Sequence, residues 1–361
     1  MLKDNGATDL RFAAGGAEAF QILKATPSQV VITDWHMPRM TGIELLQAVR
    51  NDPDVFKTQV LIISSESSPL WVLHAVEEGA DGFLLKPFTE ENLLQSILEM
   101  RQKQSDPRKR RIDEVTRLKL LGLYQEAIDL GEQMLEEADS AELSYEVAEC
   151  HYLGGQYDEA LQRAERALEG SRDGKKMGLL ARIHLETGCF DEAIAILEEA
   201  VKKNPMNFSR KMDLLSAFSN AGRTDQAEGL LDSIDTSQLT DMNLVDLARY
   251  YLQSGDSDRA GEYLKQAREP LPSAAKVYNG CASILWNKGA RDKSILLYRR
   301  CIKISPDYAM GYYNLGLAYC LNESYQEAEE VLKTAIRLKP DYKRARDVLE
   351  YVKAKTTPRD R

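Results

Sequence analysis

Val30-Val31-Ile32-Thr33-Asp34-Trp35-His36-Met37-Pro38 is an apolar run that ends on a carboxylate and passes at once into a proline-containing turn. The pattern reads as a buried parallel strand that delivers Asp34 to a sheet edge. In open α/β sheets the crevice beyond the carboxyl ends of the strands is where ligands and chemistry collect, so an acid placed there is a functional candidate. The alternative is an aspartate that simply caps the turn. Two later runs favour the first reading. Val60-Leu61-Ile62-Ile63 ends on Ser64 and Ser65, and Gly82-Phe83-Leu84-Leu85 ends on Lys86 and Pro87, each followed by an amphipathic, helix-like segment. A carboxylate, a hydroxyl and an amine meeting at one sheet edge suit an acyl phosphate and its charge.

These runs, taken with Met40-Thr41-Gly42-Ile43-Glu44-Leu45-Leu46, Ser64-Ser65-Glu66 and Gly79-Ala80-Asp81-Gly82-Phe83 leading to Leu85-Lys86-Pro87-Phe88, resemble a response-regulator receiver domain of the chemotaxis type over residues 1–101. The resemblance implies a flavodoxin-like α/β fold with Asp34 as phosphoryl acceptor. It implies Ser64 as the switch hydroxyl, Phe83 as the aromatic that moves with it, and Lys86 as the cation on the phosphoryl oxygens. Ser stands where Thr is commoner and Phe where Tyr is frequent; both keep the needed hydroxyl and ring. Thr41 to Arg50, Leu70 to Glu78 and Thr89 to Arg101 carry helical spacing.

Before Asp34, Asp9 to Ala13 reads as a strand and Gly16 to Phe20 opens a helix, so the first strand of the family is missing. With it goes the acidic pair that holds Mg2+ beside the acceptor, leaving Asp34 as the one expected metal ligand and making Mg2+ doubtful in this chain. In the strand order 2-1-3-4-5 that loss leaves a gap inside the sheet. A start codon assigned too far downstream or a trimmed chain is the expected cause, with a degenerate receiver as the alternative.

Behind a polar joint at residues 102–111, which holds Arg108-Lys109-Arg110-Arg111, the sequence repeats. Ala127, Ala160, Ala193, Ala227, Ala260, Ser294 and Ala328 recur at steps of 33, 33, 34, 33, 34 and 34, a period that points to a helical solenoid. Most follow a glycine and a short polar turn, as in Gly155-Gln156-Tyr157-Asp158-Glu159-Ala160; the glycine ends one helix and the small residue lets the next cross closely. The units resemble tetratricopeptide repeats over residues 112–342. About seven are expected, the first the most divergent at Gly131 and Met134, with Pro205, Pro272, Pro306 and Pro340 at the handovers. A capping helix and tail occupy 343–361. The family's concave groove implies a protein or peptide ligand, and the repeat pattern places Arg182, Arg249, Asn279, Trp286, Tyr313 and Leu317 on it; packing within the array is the alternative for the aromatics.

Hydrophobic residues make up 43% of the 361 and charged residues 29%, enough apolar content for two or three domains. No run approaches a membrane span and no signal pattern opens the chain, so a cytoplasmic protein without membrane insertion is expected. A net charge of −10 argues against nucleic acid as a partner. The five cysteines stand singly and read as core residues; His36 and His74 lack a second ligand at metal spacing.

The expected function is therefore a two-component response regulator, not an enzyme. A histidine kinase or phosphotransfer protein phosphorylates it, and the modification controls protein–protein interaction by the repeats, through an interface expected between residues 70–101 and 112–135. The alternative is a constitutive scaffold with a non-phosphorylated receiver. A haloacid-dehalogenase-like phosphotransferase is opposed by His36, which stands where those enzymes carry a second aspartate.

Overall fold

The computed structural model describes residues 5–38, 40–104, 107–169, 171, 173–236, 239–267 and 274–356. The chain divides into two compact units, Met1–Leu231 and Asp232–Arg361.

The first unit opens with α1 (Gly16–Ala25), β1 (Val30–Asp34), α2 (Gly42–Arg50), β2 (Gln59–Ser64), α3 (Pro69–Glu77), β3 (Gly82–Leu85) and α4 (Glu90–Gln104). The strands form a parallel sheet in the order β1-β2-β3, with Asp34 opposite Ile63 and Ser64 opposite Leu85. All six residues of the central strand β2 are buried, which is why it reads as an unbroken apolar run. One face is covered by α1, α2 and α3, whose Leu23, Leu46, Val49 and Ala75 meet Val60 and Ile62. On the other face Leu93 and Met100 of α4 pack on Leu61. Ser68 caps α3, accepting from the Leu70 amide, and proline occupies the first helical position.

The strand expected at Asp9–Ala13 does not form; Phe12 there is exposed. A strand is stable only through its ladder, and among the described residues no strand pairs with residues 9–13. Among the described residues the result is a three-stranded sheet with β1 at its edge, rather than a larger sheet with an internal gap.

Paired helices follow: α5 (Pro107–Leu120) with α6 (Tyr124–Glu137), α7 (Ala141–Leu153) with α8 (Tyr157–Leu168), and α9 (Gly174–Glu186) with α10 (Phe190–Lys203); α11 (Phe208–Asn220), which packs on α10, and α12 (Thr224–Asp232) come next in the chain. The stretch 102–111 is taken up by the end of α4 and the start of α5, with residues 105 and 106 outside the described set. In the second unit α13 (Asp241–Gln253) pairs with α14 (Ser257–Gln266), α15 (Ala275–Asn287) with α16 (Arg291–Ile304), and α17 (Ala309–Leu321) with α18 (Tyr325–Leu338); α19 (Lys343–Thr356) packs on α18. Pro272 and residues 357–361 fall outside the described residues.

The period has a direct structural origin. Gly122, Gly155, Gly188, Gly222, Gly255 and Gly289 all have positive φ in the turn within a pair, the left-handed region that glycine enters without a Cβ penalty. At the seventh pair Glu323, φ 60°, takes that place. Five residues beyond each turn, the small residue lies buried in the second helix, from Ala127 to Ala328. The divergence of the first unit also has a cause: a Cβ at Gly131 would lie 2.3 Å from Cγ2 of Val147, so the close approach of α7 excludes a larger side chain. No disulfide links the five cysteines; four are buried and Cys189 is half-buried. Burial pushes the Cys150 and Cys301 thiols up to about 12.

Candidate phosphoacceptor site

The parallel register brings the ends of all three strands to one edge. One Asp34 carboxylate oxygen is paired with Nζ of Lys86, and the other accepts from the His36 amide at 3.3 Å. Ser64 is fully buried at the end of β2, where its hydroxyl accepts from the Glu66 amide at 3.1 Å and its carbonyl accepts from the Lys86 amide at 2.8 Å. Acid, hydroxyl and cation thus come to the same sheet edge, and the cation already neutralises the acid. Phe83 is half-buried, its ring 6.3 Å from that of Trp35.

Trp35, next in sequence after Asp34, points into the core between the sheet and α3. Its ring makes an edge contact with Trp71 at 4.6 Å and lies 5.8 Å from His74, both on α3. Burial pushes the His74 imidazole below its ordinary range, and the Arg210 charge adds to this against the opposing pull of Glu78 and Glu77. Its Nδ1 is buried without a hydrogen-bond partner.

One turn further, α3 meets the repeats. Oε2 of Glu77 accepts from Nη1 of Arg210 at 2.9 Å and from Nδ2 of Asn204 at 2.5 Å, while Oε1 of Glu78 accepts from Nδ2 of Asn207 at 3.0 Å. A second contact joins the receiver to α5, where Lys57 lies 3.7 Å from Asp113 and Lys109 lies 3.9 Å from Asp81. Asp81 is held at 2.6 Å by Arg50, which also donates to the carbonyls of Phe56, Thr58 and Gly79. The interface therefore runs beyond residues 112–135 to α9, α10 and α11. Sequence reasoning missed Trp71, His74, Glu77, Asn204, Asn207 and Arg210. A signal existed in Glu77 and Glu78, two acids at the carboxyl end of a helix, where the backbone dipole disfavours them.

The residues placed on the groove are all on first helices of pairs. Arg182 lies 3.8 Å from Glu149 and over the Tyr152 ring, and Arg249 donates to Asp246 at 2.8 Å. Asn279 accepts from Asn314 at 2.9 Å, Trp286 carries the Arg291 guanidinium over its ring, and Tyr313 packs on Tyr342 with ring centroids 5.0 Å apart. Leu317 is half-buried on α17.

Among the described residues no group of three or more His, Cys, Asp or Glu side chains converges as a metal would require. Asp34, with Lys86 on one oxygen, does not compose the several-oxygen shell that magnesium takes. No helix among the described residues is long and apolar enough to cross a membrane.

A parallel sheet with acid, hydroxyl and lysine at its carboxyl edge, followed by paired helices of fixed period, defines a receiver joined to a repeat array. Residues 1–98 match the family described as Response regulator receiver domain. Residues 121–208 match Anaphase-promoting complex, cyclosome, subunit 3, and residues 179–238, 245–309 and 297–330 match Tetratricopeptide repeat. Chemotaxis protein CheY of Pseudomonas aeruginosa is 36% identical over 97 residues, 27% of this chain and 78% of that protein. Chemotaxis protein CheY-3 of Vibrio cholerae is 34% identical over 97 residues, 27% of this chain and 75% of that protein. The chain belongs to the response-regulator receiver family and carries tetratricopeptide repeats behind its receiver domain. Two solved structures resemble part of this chain. The C-terminal part of a TPR repeat-containing protein from Cytophaga hutchinsonii has 17% identity and a TM-score of 0.46 over 66% of this chain and 99% of its own. The APC/C hetero-tetramer Cut9-Hcn1 has 14% identity and a TM-score of 0.46 over 72% of this chain and 52% of its own.

Proposed function

We propose that this protein is a cytoplasmic response regulator in which phosphorylation of Asp34 by a histidine kinase or phosphotransfer protein controls what the repeats bind. The observation that carries the reading is the seating of α3 on the repeats through Glu77, Arg210 and Asn204, since α3 is the helix on which Trp35, the residue after the acceptor, packs. In the transfer, an Asp34 carboxylate oxygen forms the new bond to phosphorus, and the phosphorus–nitrogen bond to the donor imidazole breaks with its electron pair returning to the ring. Lys86 exchanges the carboxylate for the phosphoryl oxygens, which carry more charge. The Ser64 hydroxyl turns to the phosphoryl group and Phe83 moves into the space it leaves. Trp35, packed between the acceptor and α3, passes the rearrangement to Trp71 and His74, and the docked population of α3 shifts. Within the second unit Arg249, Asn279, Trp286, Tyr313 and Leu317 then offer their repeats to a protein or peptide ligand, and Arg182 does the same separately within the first.

A second reading, a constitutive scaffold, is favoured by one observation: Asp34 lacks the neighbouring acids of a magnesium shell among the described residues. Intact-mass measurement after treatment with a phosphodonor separates the two. The switch requires one added phosphoryl group, lost in Asp34→Asn, together with faster hydrogen exchange across residues 69–78. An unlabelled wild-type chain, or labelling that persists in Asp34→Asn, selects against it.

A further inference from the structure

The donors that hold α3 are set by the repeats themselves. Oδ1 of Asn204 accepts from the Met206 amide at 3.2 Å, and Oδ1 of Asn207 caps α11 by accepting from the Arg210 amide at 3.1 Å. With both carbonyl oxygens engaged by their own backbone, both Nδ2 groups are fixed as outward donors, whether or not the receiver is present. Arg210 lies beside them, and among the described residues Glu77 is the one carboxylate paired with it. Asn204, Asn207 and Arg210 are all buried beneath α3 or within the repeats. Gly174, at the start of α9, leaves the space, since a Cβ there would lie 2.3 Å from Nη1 of Arg210 and 2.4 Å from Oε1 of Glu77.

We propose that Arg210, Asn204 and Asn207 form a carboxylate-binding pocket for an acidic helix end on a partner protein, and that α3 of the receiver is its resident occupant in cis. Two adjacent glutamates leave the last turn of α3 in different directions, one to Arg210 and Asn204 and the other to Asn207. The matching ligand is a helix that ends in two consecutive acids. Such acids oppose the helix dipole and gain compensation only when an external cation takes them. Once α3 leaves, the pocket presents a guanidinium with no counter-ion and two oriented amides, which a partner carboxylate satisfies without reorganisation. The inference rests on the switch reading only for what displaces α3; the pocket itself does not depend on it.

The test uses the full chain without phosphodonor and a labelled, acetylated and amidated peptide of residues 68–79. Fluorescence anisotropy should show the peptide binding at least tenfold more tightly to the double variant Glu77→Ala with Glu78→Ala than to the wild-type chain. Adding Arg210→Met to that background should remove the gain. Asn207→Asp retains the capping oxygen but replaces the donor with a negative charge, so it should remove the gain while α11 stays folded. A peptide with glutamine at both acidic positions should not bind. Equal binding to wild-type and vacated chains, no binding at all, or indifference to both Arg210→Met and Asn207→Asp would overturn the pocket. Mixing the double variant with an Arg210→Met chain provides a further check, because a stable mixed dimer would make a second copy the occupant and overturn the assignment to a partner protein. Peptide binding in a chain that ignores phosphodonor would leave the pocket standing and remove the switch.

Discussion

Asp34–Lys86 and Glu77–Arg210 are both carboxylate–cation pairs, and they stand at opposite ends of α3's surroundings, yet physical chemistry assigns them opposite roles. The side chains of the first pair are 38% and 43% exposed; those of the second are 7% and 6% exposed. An exposed pair is screened by water and contributes little, so it is easily exchanged for another anion. A buried pair contributes little over a well-packed apolar replacement, but breaking it by removing one partner strands a charge and is costly. The pair at the sheet edge is thus suited to chemistry and the pair on α3 to holding.

The largest effect expected follows from that difference. Glu77→Ala should weaken the hold of α3 on the repeats by about 3–5 kcal/mol, because Arg210 then loses its counter-ion. Hydrogen exchange would show this as lost protection across residues 69–78 and at the start of α9 and α11. Replacing both partners, Glu77→Met with Arg210→Met, should restore most of the protection. If the single substitution left exchange unchanged, the buried pair would not be an anchor and the comparison would collapse.

An effect of intermediate size concerns pH. His74 is flanked by Glu77 and Glu78 on its own helix, by Arg210 from α11 and by the Trp35 ring from the sheet, and burial keeps it neutral by lowering it from an ordinary value of 6.5. Of these causes the Arg210 charge comes from the repeats, so an α3 released from them binds a proton at a higher pH than a docked one. Docking is at full strength above the value of the released helix and is lost progressively as the pH falls from there towards the lower docked value, by up to ~1.4 kcal/mol per pH unit within that window. Exchange protection of residues 69–78 measured between pH 5 and 8, corrected for intrinsic rates, should follow this slope in the wild-type chain. His74→Gln should flatten it, and a slope that survived the substitution would assign the titration to another group.

The two pairs also differ in how far they can be read from sequence. Asp34, Ser64 and Lys86 were legible because each ends a short apolar run, and parallel register then brings run ends together without further information. The repeats were legible because a glycine turn and a small crossing residue recur at fixed spacing. Glu77 and Arg210 stand 133 residues apart, and no local pattern specifies a pairing across that distance. The traces they leave are indirect: two acids against the dipole of α3, and an arginine at a buried position of α11 between Phe208 and Leu214. Asp9–Ala13 failed in the opposite sense, since its local pattern suits a strand but no strand among the described residues pairs with it.

The smallest effect expected is at Lys86. Its ammonium and the Asp34 carboxylate are both more than a third exposed, so Lys86→Ala should change the stability of the first unit by less than about 1 kcal/mol. Urea unfolding monitored by tryptophan fluorescence is a suitable readout, since Trp35 and Trp71 report on this core. Phosphoryl capture should respond far more strongly than stability. With the cation absent, the acceptor keeps its full charge as an anionic donor approaches, and the phosphoryl oxygens gain no positive partner afterwards. The substituted chain is therefore expected to fold normally and to label poorly. A large loss of stability would mean that this pair, like Glu77–Arg210, is an anchor, and the distinction between an exchangeable pair and a holding pair would no longer describe the molecule.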